Sequence, residues 1–231
     1  MNPGGVRERP RLVVLASGNG SNLQELIDAC DDGRLNARVV GVVTNKSGAR
    51  ALARATAVGI DASTVALRAD ESRADYDARL RDAVAGFRPD LVVLAGFMRL
   101  LSQSFLDAFA QRVLNLHPAL PGELPGLHAI ERAWDEAVSG SRTHSGVMVH
   151  LVPDEGIDSG PVVASVRVPV DTSQSLAKFR ETMQTVEHEI IVDAVRAYLS
   201  TLTTPVTVAD SSGRRGSVSH SSTISDKGAA S

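Results

Sequence analysis

The sequence is short of cysteine, of aromatic rings, of long apolar runs and of any large excess of one charge. A lone Cys30 can form no internal disulfide and cannot build a thiolate zinc site, which fits a reducing compartment. No apolar stretch approaches the roughly 18 residues of a membrane span. Residues 1–10 carry arginines but lack the apolar segment of a signal peptide, so the chain is expected to be cytoplasmic and to have no membrane partner. With 24 basic and 27 acidic residues the net charge is -3, which speaks against a nucleic-acid partner held by a general positive field. The histidines and the cysteine form no metal-binding spacing, and no serine stands in a nucleophile elbow, so neither a metal nor a covalent acyl intermediate is expected.

What is present is a grammar of alternating strands and helices. Apolar, β-branched runs at residues 12–16, 38–44, 90–95 and 112–116 read as buried parallel strands, with a weaker one near 60–66. Between them, sets such as Leu23, Leu26, Ile27 and Cys30 recur at helical spacing and end at Gly33. A further helix spans residues 72–85, and a short one contains Phe105, Leu106 and Phe109. After a Pro/Gly loop at residues 118–126, the pattern gives a helix at 130–138, strands near 147–151 and 161–168, and a closing helix lined by Leu176, Phe179, Met183, Val186, Ile190 and Ala194. The fold class is therefore α/β, an open, mostly parallel, Rossmann-like sheet flanked by helices. Residues 1–10 form an N-terminal extension, 11–203 one domain, and the Ser-rich 204–231 a disordered tail. Open sheets of this kind bind ligands at the carboxyl ends of their strands.

Three segments there could carry chemistry. Ser17-Gly18-Asn19-Gly20-Ser21-Asn22 follows the first strand and opens the first helix, where free N–H groups and the helix dipole suit a phosphate. Leu23 replaces the third glycine of the dinucleotide fingerprint, so a monophosphate fits better; a plain tight turn is the bland alternative. Asn115-Leu116-His117-Pro118 ends a strand, and alternation puts Asn115 and His117 on one face as an amide donor beside an imidazole. Such a pair can stabilise an oxyanion and move a proton, against the alternative of a satisfied core histidine. Residues 153–161 form an acidic Gly/Pro loop, and a carboxylate from it meeting His117 would raise the imidazole pKa. His144 and His220 are read as exposed, and His128 as structural.

Leu15-Ala16-Ser17-Gly18-Asn19-Gly20-Ser21-Asn22, Val43-Thr44-Asn45-Lys46, Leu94-Ala95-Gly96-Phe97-Met98-Arg99-Leu100-Leu101, Leu114-Asn115-Leu116-His117-Pro118 and Val149-His150-Leu151-Val152 with Asp158-Ser159-Gly160-Pro161 occur in this order. Together they resemble the phosphoribosylglycinamide formyltransferase family over residues 11–200. The resemblance implies formyl transfer from 10-formyltetrahydrofolate to the amine of N1-(5-phospho-D-ribosyl)glycinamide, a step of de novo purine (IMP) synthesis. The folate is then a co-substrate, with no tightly bound cofactor and small molecules as the partners of a monomer or homodimer. It assigns Asn115, His117 and Asp158 as the catalytic trio, Asp158 keeping His117 protonated, with Asp154 as the fallback. Gly20, Ser21, Asn22, Gln184 and Glu187 match ribonucleotide-binding positions. Arg73, Met98, Arg99, Leu100, Leu101 and Asn115 match folate-binding positions.

Two departures stand out: the run Ala119-Leu120-Pro121-Gly122-Glu123-Leu124-Pro125-Gly126 after the His-Pro pair, and a loop before Asp158 that is one residue longer than in the shorter members. A formyltetrahydrofolate hydrolase or a methionyl-tRNA formyltransferase is expected to need a further domain beyond residues 11–203. A non-catalytic nucleotide-binding module would leave Asn115, His117 and Asp158 with no reason to meet.

Overall fold

The computed structural model describes residues 8–203. The elements run β1 (Arg11–Ala16), α1 (Ser21–Asp31), β2 (Arg38–Thr44), α2 (Arg50–Ala57), β3 (Ala62–Thr64), α3 (Arg73–Gly86), β4 (Leu91–Leu94), α4 (Gln103–Ala108), β5 (Val113–His117), α5 (Ala129–Val138), β6 (His144–Leu151), β7 (Val162–Pro169) and α6 (Leu176–Thr203). The disordered tail expected at 204–231 and most of the N-terminal extension lie outside the described residues.

Among the described residues, seven strands form one sheet in the order β3-β2-β1-β4-β5-β6-β7. The first five strands in this order pair parallel, while β6 runs antiparallel to both β5 and β7. Alternation along β1 divides the core. Leu12, Val14 and Ala16 join the side covered by α1, α2, α5 and α6, and Val13 and Leu15 the side of α3 and α4. The strand order reverses at β1, which has β2 on one edge and β4 on the other, so the crevice lies beyond Ala16 and Leu94.

Local sequence explains the element ends. Ser72 caps α3 by accepting from the Asp75 N–H at 3.1 Å while its hydroxyl donates to the Asp75 carboxylate at 2.8 Å, so the helix starts one residue later than the sequence pattern predicts. The third strand shrinks to three residues, because only Ala62, Ser63 and Thr64 find partners on β2. Gly20 enters α1 with φ +72°, and a Cβ there would lie 2.8 Å from that of Ala51. The first βα turn can thus press against α2 only as glycine.

Candidate active site

On β5, Leu114 and Leu116 point to the layer of α1, α5 and α6, whereas Val113 packs with α3 and α4. Asn115 and His117 share the face of Val113, as alternation predicts. There the 152–161 segment folds back over the strand and brings Asp158 to both of them. The Asn115 amide donates to Asp158 Oδ1 at 3.0 Å, and His117 Nδ1 lies 3.3 Å from Asp158 Oδ2. The three groups converge, and Asp154 does not join them: its carboxylate accepts the Gly156 N–H within its own turn.

Two loops hold this arrangement in uncommon backbone. Leu124 has φ +45° and Asp158 φ +49°, conformations that side-chain-bearing residues rarely adopt. The Leu124 twist aims its carbonyl at His117 Nε2, 3.0 Å away. The Asp158 twist lets Oδ2 take the Gly126 N–H at 2.8 Å. Strain of this kind gathers where surrounding contacts over-determine a functional geometry. The altered loop of residues 119–126 therefore still delivers a carbonyl and an N–H to the trio.

The electrostatics depart from expectation in one respect. Burial of the His117 imidazole lowers its pKa, and the opposing pull of Asp158 and of the Leu124 carbonyl does not make up the loss. The expected upward shift is thus replaced by a downward one, because a ring only 4% exposed is poorly solvated when charged. Once the ring does take a second proton, each N–H already has an oxygen to face. Burial also pushes the Asp158 carboxyl up, but His150, the Gly126 N–H and His117 together hold it below its ordinary value.

His150 belongs to this cluster, although the sequence does not single it out. It pairs with Asn115 across β5 and β6, and its Nε2 lies 3.1 Å from the Asn115 amide nitrogen and 3.6 Å from Asp158 Oδ1. Its Nδ1 sits 2.9 Å from the Leu151 carbonyl, which can only accept, so Nδ1 carries the proton and Nε2 accepts from Asn115. The available signal is its alternation with Val149 and Leu151 on a strand adjacent to β5.

At the β1–α1 turn, the Ser17 N–H donates to the Gly96 carbonyl at 3.0 Å, and its hydroxyl accepts the Met98 N–H at 2.8 Å. These bonds fasten the turn to the loop after β4. Arg54 fixes the outer side by donating to the Asn19 carbonyl at 2.9 Å. Gly20, Ser21 and Asn22 open α1, and the Asn22 amide donates to Glu187 on α6 at 2.9 Å. Burial raises the Glu187 pKa, which the Asn22 bond only partly offsets. Gln184 lies half-buried one turn earlier on α6, and of the sequence-matched ribonucleotide positions Asn22 and Glu187 join the two helices. An open cleft of about 740 Å³ flanks the same turn, lined by Ser17, Gly18 and Asn19 together with residues 45–50 and Ala66, but the trio takes no part in its lining.

The folate-matched residues are more dispersed. Met98 and Leu100 are 57% and 53% exposed, as is the apolar Ile157 at 47% on the loop of Asp158. Leu101 is buried, and its carbonyl accepts from Arg73 at 3.1 Å. The Arg99 guanidinium lies over the Tyr76 ring, 4.3 Å from its centre. Arg73 pairs with Glu155 at 3.0 Å.

The formyl transferase family model matches residues 10–195. A phosphoribosylglycinamide formyltransferase of Escherichia coli is 44% identical over 179 residues, 78% of this chain and 82% of that protein. Its counterpart in Schizosaccharomyces pombe is 39% identical over 201 residues, covering 82% of this chain and 97% of the relative. Among solved structures, the glycinamide ribonucleotide transformylase 1 of Symbiobacterium toebii superposes with a TM-score of 0.80 at 35% identity, over 87% of this chain and 92% of that one. Fold, motif order and relatives agree, and the chain belongs to the formyl transferase family, among its phosphoribosylglycinamide formyltransferases.

Proposed function

We propose that the protein transfers the formyl group of 10-formyltetrahydrofolate to the amine of N1-(5-phospho-D-ribosyl)glycinamide, in de novo purine synthesis in the cytoplasm. The observation that carries this reading is the convergence of Asn115, His117 and Asp158 on one face of β5. The N–H groups that open α1 at Gly20, Ser21 and Asn22 hold the phosphate, and Gln184 and Glu187 hold the ribose and glycinamide end. Met98, Arg99, Leu100, Leu101 and Arg73 receive the folate, whose pterin lies on aliphatic side chains and backbone.

In this mechanism the amine nitrogen attacks the formyl carbon, and the π electrons of the carbonyl move onto its oxygen. Asn115 Nδ2–H and an N–H of His117 stabilise that oxyanion. Asp158 receives the proton lost by the amine, through water, and returns it to N10 of the folate as the carbon–N10 bond breaks. Tetrahydrofolate and the formylated ribonucleotide result, with atoms and charge balanced. The Asn115 amide must exchange its bond to Asp158 for one to the substrate oxygen, so substrate entry and release of the carboxylate are the same event.

The deciding assay follows folate release spectroscopically with and without the ribonucleotide. Release that requires the amine is expected. Release that proceeds equally without it would make the protein a hydrolase and overturn the proposal.

A further inference from the structure

We infer that Glu155 competes with the glutamate end of the folate for Arg73, and so sets how strongly the protein holds folates by their charged tail. The inference rests on the folate reading of Arg73 given above.

Arg73 begins α3, and two nitrogens of its guanidinium face acceptors. One terminal nitrogen donates to the Leu101 carbonyl at 3.1 Å and meets Glu155 Oε2 at 3.0 Å, while Nε stands 3.8 Å from Asp77 Oδ2. Two carboxylates therefore face one cation. They differ in their freedom to leave. Asp77 is 1% exposed and its Oδ2 also accepts the Ser102 N–H at 3.0 Å, so it is part of the join between α3 and the loop before α4. Glu155 stands on the loop between β6 and β7, with its side chain 44% exposed. Its second oxygen accepts the Gln103 N–H at 2.8 Å.

Glu155 thus uses both oxygens as a ligand carboxylate would, one on a guanidinium and one on a backbone N–H. A folate ends in a glutamate, whose carboxylates seek the same donors. With Asp77 fixed and Glu155 in place, a third carboxylate would meet a cation already more than neutralised, so the tail gains little until Glu155 swings out. A folate with an uncharged tail has no need of Arg73 and meets no such competition. Asp158 follows three residues later on the same loop, but Asn115 and Gly126 hold it separately, so Glu155 can leave without dislodging it.

The test is Glu155→Gln in the full chain, assayed with 10-formyltetrahydrofolate and with the same folate amidated at both glutamate carboxylates. KM for the charged folate is expected to fall about two- to fivefold, the range of one exposed ion pair. KM for the diamide and turnover at saturation are expected to stay within about twofold. Adding Arg73→Ala should erase the gain. Equal changes for both folates, or a large loss of turnover, would show that Glu155 serves to hold the loop and would overturn the inference. Calorimetric titration with tetrahydrofolate and its diamide reads the same contrast without formyl transfer, so failure of the proposed function and failure of this inference are distinguishable.

Discussion

The Asn115 amide donates to the Asp158 carboxylate at 3.0 Å, and its second hydrogen is directed at His150 Nε2, 3.1 Å away. A side-chain amide nitrogen has two hydrogens, so this one is fully used before any ligand arrives. A free donor in so enclosed a site would be costly, and the neighbouring carboxylate and imidazole serve as stand-ins for the oxygen it is placed to receive. The geometry of the amide is therefore set in advance, and binding exchanges one acceptor for another.

Removing either donor should cost turnover more than affinity, since an oxyanion exists only during the reaction. Asn115→Ala and His117→Ala are each expected to lower kcat by roughly 10²-fold or more, with KM for both substrates changed far less. Steady-state kinetics on the purified variants checks this. Near-normal turnover in either variant would remove it from the mechanism.

The lowered pKa of His117 makes two statements about pH. Its folded value lies below the ordinary 6.5, so burial disfavours the imidazolium and the folded ring gives up its proton first as pH rises. For stability, nothing is lost above pH 6.5, where the ring is neutral in both states; as pH falls from there towards the folded pKa, the unfolded chain takes up a proton the folded one resists, and stability declines. An NMR titration of the His117 ring should give a midpoint below 6.5, and Asp158→Asn should move it further down by removing the carboxylate that pulls it up. A midpoint above 6.5 would contradict the dominance of burial.

Much of the fold is legible in the sequence because the strands are chemically simple. Val13, Val14, Val42, Val43, Val92 and Val93 are branched and apolar on both faces, which marks interior parallel strands. β3 is shorter than its pattern suggests because propensity cannot show how far a neighbour's edge extends. Asn115 and His117 are visible through alternation within one strand, whereas His150 joins them only through the register of β5 against β6. The Leu124 carbonyl and the Gly126 N–H are backbone groups, on which residue identity is silent. The direction of the His117 pKa escapes the sequence for a similar reason: a neighbouring carboxylate can be inferred from a motif, but the depth of burial around an imidazole requires the packed structure.

Glu187 is held in a region where its charge is unwelcome. Burial raises its pKa above the ordinary 4.5, so the folded state favours the protonated carboxyl. Its contribution to stability is complete below pH 4.5 and is lost as pH rises through the folded pKa. Glu187→Gln keeps an oxygen for the Asn22 amide and carries no charge. The variant should match the original near pH 4 and exceed it at pH 7. Denaturant midpoints at the two pH values test this, and a stability gap that is the same at both would refute it. A higher KM for the ribonucleotide should accompany the gain, because the position is proposed to hold its ribose.

Gly20 separates two reasons for a glycine in the same residue. Its φ of +72° disfavours any side chain, and the Cβ of alanine would lie 2.8 Å from the Cβ of Ala51. The first effect costs about 1 kcal/mol. The second requires the turn and α2 to move apart, which also displaces the Ser21 and Asn22 N–H groups. Gly20→Ala is therefore expected to raise KM for the ribonucleotide about tenfold or more, with folate KM nearly unchanged. The same Cβ would lie 2.9 Å from the Ala51 Cα, so adding Ala51→Gly relieves only the side-chain contact, and the double variant should regain little of the ribonucleotide affinity. If Gly20→Ala left the ribonucleotide KM unchanged, close approach of the turn to α2 would have no part in shaping the phosphate site.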